Sequence, residues 1–189
     1  SQLLVAAGVQ ADAANLILMA PYSSDRIKDW PEEKYQELID RLAEHYRVGI
    51  LGGKEHREQA EKFRNCFSLV GKTNMRETTY AIHRARLLIC GCTSVLHFGS
   101  TTATLILALY RPGKAAIYAP RANCIVITSD MECWPCKEKG CDDNLCMRRI
   151  EVDTVYQKAV KILSGANRDV NTSLPDGMAV EIQIQTQST

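Results

Sequence analysis

An α/β domain built on a parallel sheet is what this sequence predicts, and three observations predict it. Short apolar runs alternate with amphipathic, helix-period segments between Asn15 and Leu163. The runs are apolar throughout rather than alternately polar, as strands buried on both faces require. Several runs close on proline or glycine and open into polar loops that lead to a helix.

Taken in order, Asn15–Ala20 is a buried strand closed by Pro21. Pro31-Glu32-Glu33 opens a helix, with proline at the first helical position and acids at its positive end. Tyr35, Leu38, Ile39, Leu42, Ala43 and Tyr46 form one apolar stripe on it. Val48–Leu51 is the second strand, stopped by Gly52-Gly53, and Glu55–Asn65 a charged helix touching the core through Ala60 and Phe63. Phe67–Val70 is the third strand. Asn74-Met75-Arg76-Glu77 has the spacing of a capping box, and the helix it starts carries Tyr80, Ala81 and Ala85. Leu87–Cys90 is the fourth strand, Thr101–Leu109 an apolar helix, Ala115–Tyr118 a fifth strand closed by Pro120, and Ile125–Ile127 a sixth. Val152–Leu163 is the last helix, amphipathic through Val155, Ala159, Val160 and Leu163. The predicted organisation is one Rossmann-like domain over residues 1–166, with a cysteine-rich loop at 131–148 and a polar tail or linker at 167–189. No internal repeat is evident.

Bulk properties narrow the function classes. The 189 residues carry a net charge of +1, so no basic field calls for nucleic acid. No stretch reaches the ~18 consecutive apolar residues of a membrane span. The N-terminal segment, Ser1 to Gly8, lacks the positive region of a signal peptide, which leads us to expect a cytoplasmic protein cut at a domain boundary.

Parallel sheets bind ligands on the loops at the carboxyl ends of their strands. Three such loops carry suitable chemistry. In Pro21–Trp30, Ser23 and Ser24 offer hydroxyls and Lys28 a compact charge ahead of a helix, a pattern suited to phosphate and equally to a solvated loop. In Gly52–His56 the glycines permit close approach and Glu55 can accept from ribose hydroxyls, without forming a dinucleotide fingerprint. In Gly91–His97, Thr93 and Ser94 lie at a helix N-terminus and His97 can hydrogen-bond phosphate or sugar, although a lone histidine there is often structural.

Together these segments resemble the C-terminal domain of glycosyltransferase family 9, the ADP-heptose:lipopolysaccharide heptosyltransferases and their relatives. The family has a hydroxyl pair followed by Lys-x-Trp-Pro, which Ser23-Ser24 and Lys28-Asp29-Trp30-Pro31 match. Its Gly-x-Glu-like turn is similar to Gly53-Lys54-Glu55. Its Asp-Thr/Ser-Gly-x-x-His is similar to Cys92-Thr93-Ser94-Val95-Leu96-His97. Ala115–Tyr118 with Pro120 is similar to the family's apolar strand and Gly-Pro turn.

The resemblance implies the C-terminal half of a two-domain GT-B enzyme that transfers a sugar, with inversion, from a nucleotide-diphosphate donor such as ADP-heptose to an acceptor hydroxyl. By that implication Ser23, Ser24 and Lys28 touch the diphosphate, Glu55 the ribose, and Thr93, Ser94 and His97 close over the phosphates and sugar. Transfer in this family needs no metal. The acceptor's general base belongs to the N-terminal domain, so we assign no catalytic residue here. Two positions depart from the pattern: Cys92 replaces an aspartate and Ser94 a glycine. They favour an alternative, a degenerate, non-catalytic module of the same fold.

Four of the eight cysteines, Cys133, Cys136, Cys141 and Cys146, fall in one short stretch. The two-residue spacer lets one turn present two thiolates, and the later pair completes a four-sulfur set for structural zinc or iron. Free or disulfide-linked surface cysteines are the plainer reading, and an iron–sulfur redox protein a third. Autotransporter heptosyltransferases, which resemble this chain in a cysteine finger, imply iron. Cys66, Cys90, Cys92 and Cys124 read as core packing.

Overall fold

The computed structural model describes residues 15–112, 114–120, 123–129, 141, 144–165 and 181–185. Its centre is a seven-stranded sheet in the order β3-β2-β1-β4-β5-β6-β7. The strands are β1 (Leu16–Ala20), β2 (Arg47–Ile50), β3 (Phe67–Ser68), β4 (Leu87–Cys90), β5 (Leu105–Tyr110), β6 (Cys124–Ser129) and β7 (Glu181–Gln185). Every pairing between them is parallel. The sheet grows in one direction from β1 to β3 and then reverses, placing β4 on the other side of β1. The reversal creates a crevice between the carboxyl ends of β1 and β4.

Alternation along each strand divides the core in two. Ile17 and Met19 of β1, Ile89 of β4, Leu107 of β5 and Ile127 of β6 face one layer. That layer is closed by α1 (Glu32–Ala43), through Tyr35, Leu38, Ile39 and Leu42, and by α7 (Val152–Leu163). Leu18, Leu88, Ile106 and Val126 face the opposite layer. There α3 (Met75–Arg84) contributes Ala81 and Ile82, and α4 (Ser94–Gly99) Val95 and Leu96. Double-sided burial is why these strands carry no polar face. On α3 the predicted capping box forms: Asn74 accepts from the Glu77 N–H and Glu77 accepts from the Asn74 N–H, each at 3.0 Å.

Four expectations need correction. Thr101–Leu109 is not a helix. The helical turn is α4, and the hydroxyls of Ser100, Thr101 and Thr102 fold back on the carbonyls of His97, Phe98 and Gly99 at its end. The apolar run beyond them is β5, the strand between β4 and β6. An unbroken apolar run has no period to separate strand from helix, and here burial on both sides decides. Ala115–Tyr118 is the short helix α5 instead of a strand, with Ile117 62% and Tyr118 49% exposed. The helix expected over Glu55–Asn65 shortens to a 3-10 turn, Lys54–His56, and α2 (Arg57–Ala60), before Asn65 adopts a left-handed φ of 57°. Finally, residues 181–185, within the stretch expected to be a tail, pair with β6; Glu-Ile-Gln-Ile-Gln is a strand-period pattern.

Candidate functional site

The three candidate loops follow β1, β2 and β4, adjacent strands at the sheet's reversal, so they gather along one edge. The Pro21–Trp30 loop is held by its own side chains. Asp29 Oδ1 accepts from the Ser23 N–H at 2.9 Å, and the Ser23 hydroxyl donates to the Asp25 carbonyl at 2.8 Å. Asp25 caps the turn Arg26–Lys28 by accepting from the Ile27 N–H at 3.3 Å. The buried Ser23 thus shapes the loop from inside, while Ser24 is exposed. Burial raises the Asp29 carboxyl above the ordinary carboxylate range, against the lowering effect of the Ser23 bonds and of nearby His56 and Arg26.

From behind, residues 144–151 clamp this loop. Asn144, at a left-handed φ of 43°, donates through Nδ2 to the Asp29 carbonyl at 2.8 Å, just ahead of α6 (Leu145–Arg148). Buried Trp30 stacks edge-on against Tyr35, ring centres 4.9 Å apart, and its indole N–H donates to the Ile150 carbonyl at 2.9 Å. Lys34 Nζ donates to the carbonyls of Arg148 and Ile150 at 2.7 and 2.9 Å and to Glu151 Oε2 at 2.9 Å. A lysine on the last carbonyls of a helix suits their negative end.

Two cavities open at this edge. One, of about 270 Å³, is bounded by Lys28, Cys92, Tyr110, Arg111, Lys114 and Tyr118. The other, about 380 Å³, has Tyr22, Arg26, Asp29, His56, Gln59 and Asn144 among its walls. There His56 stacks on Tyr22 with ring centres 4.7 Å apart and an 18° interplanar angle. Burial pushes the Tyr22 hydroxyl far up in pKa, with Glu32 and Asp29 adding to the effect.

Of the seven candidate ligand contacts, Lys28 lines the smaller cavity, its Nζ 3.9 Å from Asp25 Oδ2. Thr93 caps α4, accepting from the Val95 N–H at 3.1 Å. Ser94 and His97, three residues apart on α4, are exposed neighbours on one helix face. Glu55 is exposed beside His56, 3.6 Å from its Nε2. Cys92, read as packing, is half-buried and lines the cavity with Lys28. Cys90 and Cys124 are buried as expected; burial pushes the Cys124 thiol up to about 12. Sequence reasoning missed Arg111, Lys114 and Asn144, whose place in the site depends on how distant segments meet and not on local spacing.

Cys133 and Cys136 lie outside the described residues; Cys146 is buried in α6 and Cys141 half-buried. Among the described residues no group of three or more His, Cys, Asp or Glu side chains is placed to hold a metal ion. No described helix is long and apolar enough to cross a membrane.

The model of glycosyltransferase family 9 (heptosyltransferase) matches residues 5–146. Among solved structures, a glycosyl transferase family 9 protein from Veillonella parvula is similar at a TM-score of 0.71 and 22% identity, over 87% of this chain and 50% of that one. The ADP-heptose LPS heptosyltransferase II of E. coli is similar at 0.70 and 17%, over 83% and 49%. The iron-containing dodecameric glycosyltransferase TibC of enterotoxigenic E. coli is similar at 0.66 and 16%, over 85% and 49%. At these identities the likeness is one of fold, and this chain spans about half the length of each. No curated protein matches by sequence.

Proposed function

The chain belongs to glycosyltransferase family 9, the heptosyltransferases, and from that premise we propose that it forms the donor-binding half of an enzyme that transfers a sugar from a nucleoside diphosphate to an acceptor hydroxyl. The observation that supports this reading is the gathering of three loops at the sheet's reversal, with Lys28 lining a cavity together with Cys92 after β4 and Tyr110 and Arg111 at the end of β5. Lys28 and Ser24 meet the diphosphate, with Ser23 holding the loop in shape. Glu55 takes the ribose, and Thr93, Ser94 and His97 the phosphates and sugar. A fixed lysine offsets the charge that builds on the leaving diphosphate, so the step needs no metal. The base that activates the acceptor comes from an N-terminal domain, and we place the reaction in the cytoplasm. ADP-heptose, named for one similar structure, is the first donor to try.

Cys133, Cys136, Cys141 and Cys146 form, in this reading, a structural finger for zinc or iron. The donor set supports it: four soft thiols in one short stretch suit either ion. When bound, the metal supplies a cross-link and no part of the transfer. Cys136→Ser should lower metal content and thermal stability together; unchanged stoichiometry would remove the four-thiolate site. Cys92 and Ser94, the departures from the family pattern, support a second reading, a non-catalytic module of the same fold.

Titration calorimetry with ADP, UDP and GDP, on the chain and on its Lys28→Ala variant, separates the two. Binding of one nucleotide, weakened by the mutation, supports the donor site and names the base. A folded chain that binds none, alone or with its N-terminal half restored, supports the non-catalytic module.

A further inference from the structure

The side chain of Asn144 turns away from its own helix. An asparagine at an N-cap ordinarily accepts, through its side-chain oxygen, from the first free N–H groups of the helix it precedes. Asn144 is the N-cap of α6 and makes no such bond. Its Oδ1 is buried with no hydrogen-bond partner, and its backbone lies in the left-handed region. Its Nδ2 reaches instead to a distant loop, donating to the Asp29 carbonyl at 2.8 Å and, more weakly, to the Arg26 carbonyl at 3.4 Å. A local cap forgone, an oxygen left unsatisfied and an uncommon backbone conformation all cost stability, which points to a role for the distant contact.

The two carbonyls that Asn144 binds flank Lys28. They stand on either side of it in the turn Arg26–Lys28 and its cap Asp29, so one donor on both fixes the backbone from which the Lys28 side chain departs. The Lys28 carbonyl in turn runs close to Gly91 after β4, where a Cβ would lie 3.5 Å from it. Asn144 is itself well anchored. Trp30 and Lys34 bind the carbonyls of Arg148 and Ile150, and the Ser129 hydroxyl donates to the Cys146 carbonyl at 2.7 Å. Lys28 lines the cavity with Cys92 and Tyr110, whereas Asn144 lines the other one. Asn144 therefore acts on a ligand beside Lys28 through the loop and not by touching it.

We propose that Asn144 is a positioning residue of the donor site: its side-chain amide holds the Arg26–Lys28 turn in the arrangement that directs Lys28 to the diphosphate. The proposal rests on the donor-site reading above. When only a fraction of the molecules has the binding arrangement, apparent affinity falls by that fraction. Losing one net hydrogen bond that favours the arrangement should lower affinity about fivefold.

Asn144→Gly suits the left-handed backbone and removes the side chain. In titration calorimetry with ADP, UDP and GDP, the diphosphate that binds the chain should bind this variant about fivefold more weakly. Asn144→Asp, of the same shape with an acceptor in place of the donor, should weaken it at least as much. A melting curve for each variant establishes folding. In a Lys28→Gln background, which keeps a hydrogen-bond donor at that position, Asn144→Gly should change affinity by less than about twofold, because the group it positions is gone. Unchanged affinity in a folded Asn144→Gly chain overturns the proposal and leaves the donor reading standing. So does a weakening of equal size in both backgrounds, which is what a merely structural role gives. Failure of all three nucleotides to bind the unaltered chain, alone or with its N-terminal half restored, overturns the donor reading and this inference with it.

Discussion

The Ile150 carbonyl is buried and has two donors, the Trp30 indole at 2.9 Å and the Lys34 ammonium at 2.9 Å. That redundancy predicts a specific failure of additivity. In Trp30→Phe a smaller aromatic ring replaces the indole and the N–H is lost, while Lys34 still satisfies the carbonyl. The cost should be about 1–2 kcal/mol, from one net hydrogen bond and the smaller ring. Lys34→Met keeps the aliphatic stem and removes three hydrogen bonds, of which the one to the exposed Glu151 is screened by solvent. Its cost should also be about 1–2 kcal/mol, because Trp30 still reaches Ile150. In the double variant the carbonyl has neither donor. Ile150 is 0% exposed, so a desolvation penalty of about 1–2 kcal/mol should appear beyond the sum of the single costs. Urea unfolding of the four proteins at one temperature measures the coupling. If the double variant equals the sum of the singles within about 0.5 kcal/mol, the two donors do not share responsibility for Ile150 and the clamp described here is wrong.

Other consequences can be checked with the same denaturation assays. Asn74→Ala removes the side-chain half of the capping box on α3, the bond from the Glu77 N–H to Asn74 Oδ1, and should cost about 1 kcal/mol; a loss below a few tenths would mean this cap contributes nothing. Gly99→Ala should lower stability by about 1–2 kcal/mol in spite of alanine's better helix propensity, because its Cβ would stand 2.7 Å from Leu88 Cδ2 and 3.1 Å from Ile106 Cδ1. A stabilised variant would show that α4 can lift from the sheet freely. Asp29 has a raised folded pKa, so its native form binds more protons than the unfolded chain between the ordinary value of 3.8 and the folded value. Its contribution to stability is present below 3.8 and is lost as pH rises through the folded value. Asp29→Asn should flatten that part of the stability–pH curve while keeping an oxygen for the Ser23 N–H; an unchanged slope would contradict the burial of the charge.

Elements with a clear start or a clear period were legible in the sequence. Pro31-Glu32-Glu33 marks the entry to α1, Asn74 and Glu77 the entry to α3, and the stripe Tyr35, Leu38, Ile39 and Leu42 is the buried face of α1. The apolar run that became β5 had neither mark. Its identity depends on β4 and β6 on either side, which is tertiary information. Ala115–Tyr118 failed for the opposite reason: its apolar residues suggested burial, yet Ile117 and Tyr118 are exposed. At the site, the loop positions followed from the strand pattern alone. The cationic wall did not, because Lys28 and Lys114 become neighbours of one cavity only when β1, β4 and β5 lie side by side.

The parallel pairing of the sheet bears on how this chain is made. Parallel strands cannot meet through a tight hairpin, and β1 has β4 as one of its two partners, with Ile17 opposite Leu87, about seventy residues downstream. During synthesis β1 therefore leaves the ribosome with that edge unpaired until β4 follows. For several seconds at the usual rate of translation, Leu16–Ala20 is a sticky segment in search of a partner. A chaperone that shields short apolar stretches should raise the yield of folded chain most when it acts in that interval, before Cys90 has emerged.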